Sequence, residues 1–169
     1  SAASDVYKRQ LLHNGVIPFI VGGGHDLSYA IYKAYVSLDR FITLTEVDSQ
    51  FDIGLEDDNL ASFSHLGKII AHKPTHLFHY ANLGYQSYFV SNLAADMLQA
   101  MNFDTIRLGE LKANFNEVEP IMRNTDFLSF DIEKSLSANK LIGVKEISDY
   151  LSDIIPLDQT KELIRIKTR

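Results

Sequence analysis

Phe41-Ile42-Thr43-Leu44-Thr45-Glu46-Val47, running straight into Asp48-Ser49-Gln50-Phe51-Asp52, is the stretch that decides the fold. The short, largely apolar run reads as a strand buried in a parallel sheet, and it delivers Asp48 just past its carboxyl end. In an extended segment residues two apart face one side, so Asp48, Gln50 and Asp52 are expected to point into one site. Two other segments share the plan. Val16-Ile17-Pro18-Phe19-Ile20-Val21 reads as a strand closed by Gly22-Gly23-Gly24-His25, and a strand over Phe127 to Ile132 carries Ser129-Phe130-Asp131-Ile132-Glu133. In an open α/β sheet the residues beyond the carboxyl ends of strands converge on one crevice. One imidazole and four carboxylates meeting there would repel one another unless cations sat between them.

Neutral imidazole is a good ligand for divalent transition metals and carboxylate oxygens suit Mn²⁺ or Mg²⁺, whereas Gln50 offers only a weak neutral oxygen. Each segment taken singly has a plainer account. The glycine run can be a helix-capping turn with a structural histidine, and either acidic segment can be a strand end with solvated acids. The combination in chain order is what points to a metal site. A phosphate-binding P-loop is excluded, because no Gly-Lys-Ser/Thr follows the glycines.

Outward from these strands the chain alternates. Helical spacing of Leu27, Ala30, Ile31 and Ala34 predicts a helix over Asp26 to Leu38. Ile53 to Ser64 is polar and acidic and reads as a surface loop. A short helix is expected at His65 to His72, a strand at His76 to Tyr80, a helix at Asn92 to Met101, a strand at Thr105 to Leu111 and a helix at Glu117 to Arg123. Such alternation implies βαβ units and a mostly parallel sheet. Beyond Glu133 only helices at Val144 to Leu151 and Gln159 to Ile166 suggest themselves, and no internal repeat or low-complexity segment is present.

The 169 residues suffice for one domain with a real core, and 46% hydrophobic with 22% charged residues is ordinary for a globular chain. A formal charge of -6 without a basic patch argues against nucleic acid as a partner. The absence of cysteine excludes disulfides and thiolate metal sites, and is compatible with a cytoplasmic setting. No apolar stretch approaches the roughly 20 residues of a membrane span. Ser1 to Gln10 lacks an initiator Met and resembles translated adaptor sequence, so it is set aside from fold reasoning, the alternative being a native N-terminal helix. The expected organisation is therefore a non-native segment at 1–10, an α/β domain at 11–135 and a divergent or truncated remainder at 136–169. The fold is expected to lack strands at both ends, which would leave exposed edges and an inactive fragment.

The three motifs, in this order and at these separations, resemble the metal signatures G-G-x-H, D-A-H-x-D and S-F-D-x-D of the ureohydrolases, the arginase–agmatinase–formiminoglutamase family. Asn82-Leu83-Gly84-Tyr85-Gln86 and Arg107-Leu108-Gly109-Glu110 resemble a formiminoglutamase-like branch, and the resemblance covers roughly residues 11 to 135. It implies a three-layer α/β/α fold with a mostly parallel sheet. It also implies two Mn²⁺ ions that activate a bridging hydroxide to attack the carbon of a linear amidine or guanidine, formiminoglutamate-, arginine- or agmatine-like. Carried over residue by residue, His25, Asp48, Asp52, Asp131 and Glu133 fall on metal ligands. Asp52 and His65 are the residues implied in catalysis, because His65 lies thirteen residues after Asp52, where arginases place a histidine that protonates the leaving amine. A surface position for His65 is the other reading. A homo-oligomer, trimer or hexamer, is the family's habit.

The departures are specific. Gln50 stands where the family has a ligating His, and Glu133 stands where it has Asp. The stretch after Glu133 lacks the Asp-Pro and Ala-Pro-Gly features that usually follow in the family, and the distal Glu that grips the substrate is not located in it. Gln50 and Glu133 motivate an alternative reading: a non-catalytic relative with a degraded metal centre, acting as a structural or partner subunit. His72, His76 and His79 match no motif, and the last two read as strand-end or surface residues.

Overall fold

β1 (Ile42–Val47) lies inside a four-stranded sheet of order β3-β2-β1-β4, in which every neighbouring pair is parallel. In this computed structural model the described residues are 9–18, 20, 27–54 and 64–131. The elements follow as α1 (Leu27–Val36), β1, α2 (His65–Ala71), β2 (Leu77–Tyr85), α3 (Asn92–Ala100), β3 (Asp104–Arg107), α4 (Leu108–Ala113), α5 (Val118–Arg123) and β4 (Phe127–Phe130). All six residues of β1 are buried. β1 has strands on both sides and helices on both faces, so even its polar residues Thr43, Thr45 and Glu46 are buried.

On one face Ile42, Leu44 and Tyr80 pack against Tyr32 and Tyr35 of α1, Leu66 and Ile69 of α2, and Ala94 and Leu98 of α3. On the other, Val47 and Leu83 pack against Leu111 of α4 and Val118 of α5. The three-layer α/β/α arrangement expected from the sequence is thus present. The chain steps one way from β1 to β2 to β3, then returns across the sheet to place β4 on the far side of β1. The helices α2 and α3 of the outward steps lie on one face and α4 and α5 of the return on the opposite face, the arrangement that crossovers of one constant hand produce. The direction reverses between β1 and β4, and in sheets of this kind ligands bind outside the carboxyl ends at such a switch.

Several expectations need correction. The expected strand over Val16 to Val21 is absent at its described residues 16–18 and 20, and Ile17 is 89% exposed. Pro18 lacks the N–H that a ladder position needs. Phe19, Val21 and the Gly22–His25 motif lie outside the described residues. The strand expected at Thr105 to Leu111 ends at Arg107, where the Glu110 side chain accepts from the Arg107 amide at 3.2 Å and opens α4. β2 runs on to Tyr85 instead of stopping at Tyr80, because its second half is sandwiched between β1 and β3. Its register slips between Leu83 and Tyr85 around Gly84, whose φ of 98° favours glycine. The slip turns Tyr85 onto Phe51, with ring centroids 4.8 Å apart. Residues 9–13 are helical, with Leu12 in the core beside α1. The expected helices beyond Glu133 lie outside the described residues, as does most of the Ile53–Ser64 loop, although Ile53 and Ser64 themselves are buried.

Candidate active site at the strand ends

Parallel pairing of Val47 with Phe130 sets Asp48 and Asp131 side by side as they leave adjacent strands, about 4.8 Å apart in backbone spacing. The Asp131 amide donates to the Val47 carbonyl at 3.2 Å, so the pairing continues to the last residue. Asp48 is buried, whereas Asp131 is half-buried. Ser28 at the start of α1 and Ser129 of β4 share a buried hydrogen bond of 3.0 Å, which ties the first helix to the same end of the sheet.

After Asp48 the chain does not stay extended, so simple alternation is not what positions Asp52. Asp48 Oδ1 accepts from the Gln50 amide at 3.0 Å, closing a turn. Asn82 Nδ2 donates to the Gln50 carbonyl at 3.2 Å, and the Gln86 amide donates to the Ser49 carbonyl at 3.0 Å. The turn drops Phe51 into the core and leaves Gln50 half-buried. Asp52 is then buried under α2, with its carbonyl accepting from the Leu66 amide at 3.2 Å.

Beneath these acids lies a polar network that the sequence reading missed. Glu46, on the same strand as Asp48, is 1% exposed. Tyr80 donates its hydroxyl to Glu46 Oε2 at 2.9 Å, and His65 Nε2 lies 2.5 Å from Glu46 Oε1. The other ring nitrogen, His65 Nδ1, stands 3.5 Å from Asp52 Oδ2. His65 and Tyr80 are fully buried, which corrects the surface alternative for His65. A carboxylate is costly to bury without such partners, and losing one partner of a buried pair costs about 3–5 kcal/mol. Burial foremost, and then the Glu46 charge, pushes the Tyr80 phenol well above its ordinary range, so it stays a neutral donor. The readable signal was Glu46 itself: a carboxylate in the middle of a run buried on both faces must have partners.

The remaining histidines sit away from these acids. His76 is buried ahead of β2, with Nε2 3.0 Å from Asp39 and its ring stacked on Phe41. His79 pairs with Asp104 at 3.0 Å, and His72 Nδ1 bonds Tyr29 at 3.2 Å. His25 and Glu133, two of the five expected ligands, lie outside the described residues. Among the described residues no three His, Asp or Glu side chains converge as a ready cation site. Asp48 and Asp131 at neighbouring strand ends, and Asp52 on the loop that follows Asp48, are nonetheless hard oxygen donors, the donor chemistry that Mn²⁺ or Mg²⁺ prefers. Two buried amide atoms, Asn82 Oδ1 and Gln86 Nε2, have no hydrogen-bond partner among the described residues.

A model of the arginase family matches residues 3–135. The chain belongs to the arginase family. The formimidoylglutamase of Hahella chejuensis is 27% identical over 139 residues, covering 75% of this chain and 41% of that one. Two structures of Trypanosoma cruzi formiminoglutamase, each with Mn²⁺, superpose with a TM-score of 0.68 at 21% and 20% identity, covering 80% of this chain and 48% of theirs. The formimidoylglutamase of Bacillus subtilis superposes at 0.61 with 17% identity, covering 75% of this chain and 42% of that one. At these identities the structures establish the shared fold, and the chain spans less than half the length of each of these proteins. A local stretch of 43 residues, 25% of the chain, is 54% identical to a tRNA dimethylallyltransferase of Pelagibacter ubique, of which it covers 14%. Among the described residues no helix is long and apolar enough to cross a membrane.

Proposed function

We propose that this arginase-family chain belongs to a metal-dependent hydrolase of C–N bonds in small linear amidines or guanidines, formiminoglutamate-like substrates foremost, working in the cytoplasm. The observation that carries the reading is the β1–β4 register, which puts Asp48 and Asp131 next to each other at the switch point of the sheet. Asp52 is buried on the loop that follows Asp48. Asp48, Asp52 and Asp131, with His25 and Glu133, are the residues that would hold Mn²⁺. A divalent ion bound there would supply an activated water near neutral pH. The loop bonds from Asn82 and Gln86 hold Asp48 and Asp52 at fixed positions, and fixed placement is what a metal site demands of its protein.

Gln50 favours a second reading, a non-catalytic relative with a degraded centre. An amide oxygen in place of imidazole donates weakly, and here its backbone is committed to shaping the loop. Calorimetric titration with Mn²⁺, run beside Gln50→His, decides between them. Two tight sites in the unsubstituted chain favour the hydrolase, to be followed by screening formiminoglutamate, arginine, agmatine and guanidino acids for release of formamide, urea or ammonia. No site, with binding gained in Gln50→His, favours the degraded centre.

A further inference from the structure

We propose that His65 is a positioning residue for Asp52, clamped from behind by Glu46 and Tyr80, and does not deliver a proton to substrate; the proposal rests on the reading of Asp52 as a metal ligand. Both ring nitrogens of His65 face carboxylates, Nε2 toward Glu46 at 2.5 Å and Nδ1 toward Asp52 at 3.5 Å. With the ring fully buried, it presents no edge to solvent for exchange with an incoming substrate. Glu46 is itself held from the neighbouring strand by the Tyr80 hydroxyl at 2.9 Å. The clamp therefore stands on two paired strands at the interior of the sheet and reaches the loop through α2.

The seating of α2 supports the same role independently. The Leu66 amide bonds the Asp52 carbonyl, so the first turn of α2 holds the backbone of Asp52 and sets His65 Nδ1 3.5 Å from its carboxylate. A Cβ placed on Gly67 would stand 2.2 Å from the Ile53 carbonyl oxygen. The helix thus lies against residues 52 and 53 as closely as backbone allows, and only because position 67 has no side chain. Groups that orient a ligating carboxylate or imidazole typically govern metal affinity by about 10- to 100-fold.

The test is Mn²⁺ affinity by calorimetry and the Mn²⁺ electron paramagnetic resonance spectrum, measured on the chain and on His65→Asn, Glu46→Gln and Tyr80→Phe, each confirmed folded by circular dichroism. His65→Asn and Glu46→Gln should weaken Mn²⁺ by about 10- to 100-fold and alter the spectrum, with a smaller loss in Tyr80→Phe. Wild-type affinity and an unchanged spectrum in His65→Asn overturn the proposal and return His65 to proton transfer. If the unsubstituted chain binds no Mn²⁺, the metal reading falls, and positioning is then read from the carboxyl ¹³C resonance of Asp52. That line should move in both His65→Asn and Glu46→Gln, and an unmoved line overturns the clamp.

Discussion

Tyr80→Phe deletes a single oxygen from the interior, and its cost can be worked from the network. The phenol and Glu46 are 0% and 1% exposed, and the hydroxyl donates at 2.9 Å to a carboxylate oxygen. A hydrogen bond to a charged acceptor contributes about 1.5–3 kcal/mol, and here no water replaces the lost donor. The ring remains, so the cavity is one atom in size and adds little. The expected loss is about 2 kcal/mol, which at a urea dependence of about 2 kcal/mol/M lowers the unfolding midpoint by about 1 M. Tyr32→Phe is the internal control: its equally buried hydroxyl accepts from the His76 amide at 2.9 Å, a neutral bond of about 1 kcal/mol. Urea unfolding followed by far-ultraviolet circular dichroism measures both. A double-mutant cycle of Tyr80→Phe with Glu46→Gln should give a coupling above about 0.5 kcal/mol. Equal costs for the two tyrosines, or no coupling to Glu46, would refute the view that Glu46 is a charged acceptor at the heart of the fold.

Gly67→Ala should lower stability by about 1–3 kcal/mol, because the added Cβ meets the backbone of Ile53 and pushes α2 away; thermal unfolding reads it, and an unchanged melting temperature would mean that α2 yields freely. Leu44→Ala, at the fully buried centre of β1, should cost about 2–5 kcal/mol in chemical denaturation, and a loss under about 1 kcal/mol would deny that β1 is the central strand. The Asp39 carboxylate, and next the Pro74 carbonyl, raise the His76 pKa above its ordinary value. Folding therefore gains from protonated His76 at pH below about 6.5 and loses that gain as pH rises through the raised value. Compared with Asp39→Asn, the chain should melt higher at pH below about 6.5, and the difference should shrink as pH rises through the raised value. A difference independent of pH would separate Asp39 from His76, and added salt should shrink it because Asp39 is exposed. Gln50→His should raise Mn²⁺ affinity in calorimetry, and no gain would place the weakness elsewhere than at position 50.

The sequence by itself determined the layered α/β character, β1 and its carboxyl end, and the family. These rest on short-range information: a run of β-prone residues, helical spacing in α1 and α3, and motifs whose order survives in the chain. Asp48 and Asp131 were legible as strand-end acids for the same reason. Tertiary structure decided which strands are neighbours, and so that Asp48 and Asp131 come from an adjacent pair at the switch point although 83 positions separate them. It also decided that residues 48–52 turn instead of extending, because Asn82 and Gln86 supply the bonds that shape the loop. The Glu46–His65–Tyr80 network was beyond reach of local pattern, since its members lie 19 and 34 residues from Glu46. Whether a carboxylate inside an apolar strand is an error, a surface group or a clamp depends on what the fold brings against it. Burial makes an unsatisfied charge too costly to keep, so the fold must supply the partners, and they come from wherever the packing places them.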